Sequence, residues 1–133
     1  MKIKNLMKFY FFADSLNRAL DGVIMRVAFK AGRDAYRGGE AYFNEMAAVV
    51  EIKGELSDFW ARLDGIMEGL TERDRRTLKV YAAARTAFEG EGKREVHRAL
   101  VKFSRRAKGL LYGDERQYKL MCAYKALLVP APD

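Results

Sequence analysis

The sequence predicts an all-α fold, a helical hairpin followed by three shorter helices in one compact bundle. Three observations carry this expectation. Apolar residues recur at steps of three and four along most of the chain, the spacing of one face of an α-helix. Both prolines, Pro130 and Pro132, lie in the last four residues, so proline chemistry interrupts no helix between Met1 and Val129. No stretch keeps the period-two alternation of a half-buried strand.

The first helix follows from Phe9, Phe12, Leu16, Leu20, Val23 and Val27, which fall on one helical face. It should stop near Gly32, where a C-terminus tolerates the left-handed backbone, and a short loop around Arg37–Gly38–Gly39 should follow. The second helix is the most regular. Val49, Ile52, Leu56, Phe59, Leu63, Ile66 and Leu70 form a heptad a/d stripe. Phe43, Met46, Val50, Trp60 and Met67 widen that stripe beyond a coiled-coil seam, which predicts burial inside a bundle. Unbroken from Glu40 to Gly69, this helix would run roughly 45 Å, with Gly54 and Gly65 as places to kink or divide it. Pairing with the first helix within the chain is favoured over pairing with a second copy, so a monomer is expected.

Thr71 reads as an N-cap, with Asp74 three residues on in a variant of the capping box. The third helix is expected over about Glu72 to Phe88. Glu89–Gly90–Glu91–Gly92 is a turn by composition. The fourth helix should span about Lys93 to Leu111, with Val96, Leu100, Phe103, Ala107 and Leu110 as its buried stripe. Gly113 and Asp114 mark another break, Asp114 and Gln117 repeating the capping pattern. The fifth helix should cover about Glu115 to Leu128, with a frayed tail from Val129.

At 133 residues, 50% hydrophobic and 32% charged, the chain is one folded domain able to bury a core without staples. A lone cysteine, Cys122, excludes an intrachain disulfide and suits a reducing cytoplasm. One cysteine and one histidine, His97, cannot build a common zinc site. The apolar run Phe9 to Ala13 is cut by Asp14, too early for a signal-peptide core, and no run reaches bilayer length. No membrane partner and no cofactor are expected. Charge divides the domain. Residues 1–70 hold 10 Lys and Arg against 10 Asp and Glu. Residues 71–133 hold 15 against 8, which is the whole net charge of +7. A neutral hairpin over 1–70 thus precedes a basic helical half over 71–129, an asymmetry that suggests an anionic partner.

That charge is densest on the fourth helix, where Lys93 to Lys108 hold seven basic residues and one acid, Glu95. Arg94, Arg98, Arg105 and Lys108 share a face away from the buried stripe, flanked by Lys102 and Arg106. Such a helix can lie along a phosphate backbone or enter a major groove, and arginine can pair bidentately with phosphate or a guanine edge. The plain alternative is a solvated face that serves solubility. Glu51, Glu55 and Asp58 also share a face, with Arg62 beyond them. Dimetal bundles need a Glu-x-x-His motif, and the second helix has no histidine, so an i,i+4 ion pair on a wet face is the better reading. His97 reads as a surface residue and Cys122 as a small buried apolar one. No phosphate loop, zincin motif or nucleophile elbow occurs, and no enzyme is expected.

Two stretches carry a resemblance. "GLTERDRRTLKVYAAARTA", Gly69 to Ala87, resembles the opening of the C-terminal promoter-binding region of bacterial RNA polymerase sigma factors. "VHRALVKFSRRAKGL", Val96 to Leu110, is similar to the recognition helix of that region, and "ADSLNRALD", Ala13 to Asp21, to small bacterial proteins that carry it after a helical hairpin. The sigma region has a further helix between the two matched ones, where this chain has only "FEGEGKRE", Phe88 to Glu95. The resemblance therefore implies phosphate-backbone contacts by Arg94, Arg98, Lys102, Arg105 and Arg106 with little base readout. The expected function is nucleic-acid association. The alternative is a protein-interaction module, an adaptor or inhibitor, that turns its basic face to an acidic protein surface or uses the heptad stripe.

Overall fold

The computed structural model describes residues 2–33, 39–84, 88–109 and 115–130, with side chains for the same residues except 33 and 39–41. It is an all-α bundle, with no strand among the described residues. Helices α1 (Ile3–Arg33) and α2 (Gly39–Glu68) form the hairpin, and α3 (Glu72–Ala83), α4 (Gly90–Ala107) and α5 (Glu115–Ala123) follow, then a 3-10 turn over Lys125–Leu127. α3 packs on α1 and α4, and α5 packs on α2. The shorter helices thus gather at the end of the hairpin where α1 begins and α2 finishes.

The core forms where the two apolar stripes meet. Phe9, Leu16 and Leu20 of α1 and Leu56, Phe59, Leu63 and Ile66 of α2 are all buried, and Phe9 stacks on Phe59 at 5.7 Å between centroids. Leu78, Ala82, Ala99, Phe103, Met121 and Leu128 close this cluster from the other elements. The outer half of the hairpin departs from the expectation. Val49 and Ile52 are only partly buried, and Phe43 and Val50 are 68% and 52% exposed. For the stripe itself, α3 and α5 are short, 12 and 9 residues against 31 and 30 for the hairpin helices, whereas Phe43 and Val50 lie on the opposite side of α2, where Ser57 and Ala61 are exposed as well. α2 runs unbroken through Gly54 and Gly65.

α1 has one interruption that its apolar spacing does not announce. Phe12 leaves helical geometry at φ −120° and ψ 19°, which frees carbonyls of the preceding turn. Trp60 Nε1 donates to the Tyr10 carbonyl at 2.9 Å, and Ser15 Oγ donates to that of Phe12 at 2.8 Å. Side chains entering the backbone ladder are a recognised cause of kinks. The Tyr10 ring stacks on Trp60 at 5.2 Å, and its hydroxyl donates to Asp64 at 2.7 Å. Burial first, then the Asp64 carboxylate, raises the Tyr10 pKa above the ordinary phenol value.

The cap at Thr71 forms as expected, its hydroxyl accepting from the Asp74 amide at 3.2 Å. Other boundaries differ. α3 ends at Ala83 rather than Phe88, and Lys4 Nζ donates to the Ala84 carbonyl at 3.0 Å, a cation where a helix dipole favours one. α4 starts inside the expected turn and ends at Ala107. α5 stops at Ala123, and the tighter 3-10 turn then carries Leu128 into the core. Val129, where fraying was expected to begin, is tied down by its amide donating to Ser15 Oγ at 3.1 Å, and residues 131–133 lie outside the described residues. Arg37, Gly38, Leu110, Leu111, Gly113 and Asp114 lie outside the described residues.

Candidate functional site

α4 presents the basic face that its sequence implies. The helix opens at Gly90, whose φ of +60° suits a residue without a Cβ. Val96, Ala99, Phe103 and Ala107 are buried against the bundle. Ala99 thus sits deeper than Leu100, which is only half-buried. At 100° per residue, Arg94, Arg98 and Arg105 lie opposite Phe103. All three are exposed, as is Lys108 at the helix end. Among the described residues none of these four takes an ion pair or a side-chain hydrogen bond. Arg94 to Lys108 spans about 21 Å along the axis.

Two other members of the expected set, Lys102 and Arg106, are placed differently. Lys102 Nζ lies 2.9 Å from Asp74 Oδ2, joining α4 to α3. Asp74 is the one buried charged residue among those described. Burial pushes its carboxyl pKa up, but hydrogen bonds with Lys102 and the Thr71 side chain, with the charges of Lys102 and Arg73, outweigh that and hold it below the usual value. Arg106 lies against the C-terminal end of α2. A Cβ placed on Gly69 would stand 1.8 Å from its Nη1 and 2.3 Å from its Cζ. Among the described residues Arg106 takes no ion pair or side-chain hydrogen bond there. Both side chains remain exposed, and only the charge of Lys102 is partly spent on holding α4 to α3.

Lys93, Arg94, Val96, His97, Arg98 and Leu100 frame an open concavity of about 600 Å³. Lys93 and His97, one helical turn apart on its rim, are both exposed. On α3, Arg73 pairs with Glu95 and Arg76 with Glu72, each at 2.6 Å, while Lys79 is exposed. The acidic face of α2 is tied to α5, since Arg116 reaches Glu55 at 3.3 Å and Arg62 donates to Gln117 at 2.8 Å. Cys122 is half-buried against the core and His97 is exposed. No three His, Cys, Asp or Glu side chains gather in metal-binding range among the described residues. Nor is any described helix long and apolar enough to cross a membrane.

No family model matches the chain, and neither a curated protein nor a solved structure matches it.

Proposed function

We propose that this protein associates with nucleic acid in the cytoplasm, with α4 lying along the phosphate backbone. The observation that supports the reading is the set of four exposed cations, Arg94, Arg98, Arg105 and Lys108, with no acidic partner in the described chain. Cations without an internal partner are free to neutralise phosphate and release its counterions. The resemblance of α3 and α4 to the sigma promoter-binding region points the same way. Only residues 84–89 separate the two helices, so the proposed contacts are to the backbone, with little or no base readout.

Four phosphates neutralised on duplex DNA should give a slope of roughly −3.5 in log K against log salt. Arg98→Ala with Arg105→Ala should weaken binding to all sequences alike and reduce the slope magnitude by about two. Lys102→Ala should change the slope less, because its charge is already partly engaged by Asp74. Fluorescence anisotropy with mixed duplex DNA, single-stranded DNA and RNA reads all of these. Absence of binding to any of the three at low salt and micromolar protein would sink the proposal in favour of a protein-interaction module.

A further inference from the structure

The hairpin extends past the elements that cover it. Among the described residues, α1 is hydrogen-bonded to α3, α5 and the tail at Lys2, Lys4, Asn5 and Ser15, and to none of them beyond Asp21. On this outer part, Met25 and Phe29 are 71% and 72% exposed. They lie nearly opposite Val27, which is buried. On α2, Phe43, Ala47 and Val50 follow steps of four and three and are all exposed. They lie opposite the Ile52 and Phe59 side of the helix. The hairpin therefore carries two apolar stripes, one on the outer side of each helix, facing away from each other.

Charge distinguishes the two stripes. Between Gly22 and Gly32 the exposed charges of α1 are Arg26 and Lys30, both basic. Between Tyr42 and Ala61 those of α2 are Glu45, Glu51 and Asp58, all acidic. The Asp21–Lys53 pair, which joins the helices to each other, leaves this division intact. Met25, Arg26, Phe29 and Lys30 also frame a concavity of about 300 Å³, an apolar notch with a basic rim that can seat an aromatic side chain. On α2, Glu51 and Asp58 flank the Phe43–Val50 stripe, while Glu45 lies on the opposite side, so that stripe is its complement in charge.

We infer that the partner of this arm is a second copy of the same chain, the outer face of α1 in one copy seating on the outer face of α2 in the next. The pairing is head to tail. Because the two faces point in opposite directions, each copy retains one unused face after pairing, so assembly continues until a ring closes or a chain extends. Like faces do not pair this way, since two α1 faces would oppose Arg26 and Lys30 to the same residues. Self-association is independent of nucleic acid, and would repeat any basic α4 along the assembly.

Sedimentation velocity without nucleic acid, from micromolar to submillimolar protein, tests this. The wild-type chain should gain mass with concentration. Phe29→Glu blocks the α1 face and Phe43→Glu the α2 face, and each variant alone should stay monomeric. Mixed in equal amounts, the two should form a dimer and nothing larger, because one intact face of each kind remains. Both substitutions are at exposed positions, and unchanged helical circular dichroism confirms that each variant folds. Arg26→Glu with Lys30→Glu should also abolish assembly, and those variants mixed with Glu51→Lys, Asp58→Lys chains should recover it. A wild-type chain that remains monomeric throughout overturns the inference. So does a Phe43→Glu variant that still dimerises alone, or a mixture of the two phenylalanine variants that stays monomeric.

Discussion

The inner and outer ends of α2 both carry large apolar residues, on opposite sides of the helix, and these meet opposite fates. At the inner end, Phe59 and Leu63 have no exposed surface. Roughly two and a half to five and a half turns away and on the other side, Phe43 and Val50 face solvent. Helical periodicity establishes which residues share a face. Whether a face is covered depends on where the neighbouring helices lie, and the Val50 side of α2 stays open at the inner end too, at Ser57 and Ala61. Here α3 and α5 reach along only part of two helices of 31 and 30 residues. The energetic consequence is that the fold is held at one end, while the other end offers its apolar residues to something else.

The contrast can be broken most directly in the core. Phe59→Ala removes a fully buried ring stacked on Phe9 and should cost about 3–5 kcal/mol in chemical denaturation. A loss below about 0.5 kcal/mol would mean that the inner end is no better packed than the outer. A smaller effect is expected at the α3–α4 junction. Asp74 has a folded-state pKa below its unfolded value of about 3.8. Its contribution is thus fully present above that pH and is lost as pH falls through the lower folded value. Lys102→Met should cost on the order of 1 kcal/mol at neutral pH, since Lys102 is half-exposed and solvent screens the pair. The cost should shrink in strong acid, and a pH-independent cost would assign the effect to packing. The smallest effect belongs to Phe43→Ser. With 68% of its surface already exposed, it should leave the stability of the monomer within about 0.5 kcal/mol. A loss as large as that of Phe59→Ala would show that the outer end is covered within the monomer and would remove the difference between the ends.

Much of the architecture was legible in the sequence because helical order is local. The stripe from Leu56 to Leu70, the Thr71 cap and the apolar face of α4 all follow from residues a few positions apart. The kink at Phe12 was not legible, because it depends on Trp60 Nε1 reaching the Tyr10 carbonyl from a helix 50 residues away. The end of α5 was missed for a similar reason. Nothing near Tyr124 forbids helix, but docking of Leu128 and Val129 on α1 favours a tighter turn. In the candidate site, the face of Arg94, Arg98 and Arg105 could be read from spacing. The employment of Lys102 could not, since it requires knowing that Asp74 comes to lie beneath α4.

Ser15 accepts from the amide of Val129 and lies within bonding distance of the Leu127 carbonyl, 114 and 112 positions further on. This has a consequence for the order of events during synthesis. Such contacts close a loop of nearly the whole chain, and the entropy of that closure must be met before they form. α1, synthesised before the other helices described, is therefore among the last to be completed. Until the closing residues arrive, Met7, Leu16 and their neighbours remain without part of their covering. A nascent chain stalled short of Tyr124 should then be cleaved readily within its first twenty residues, and release of the last turn should protect them.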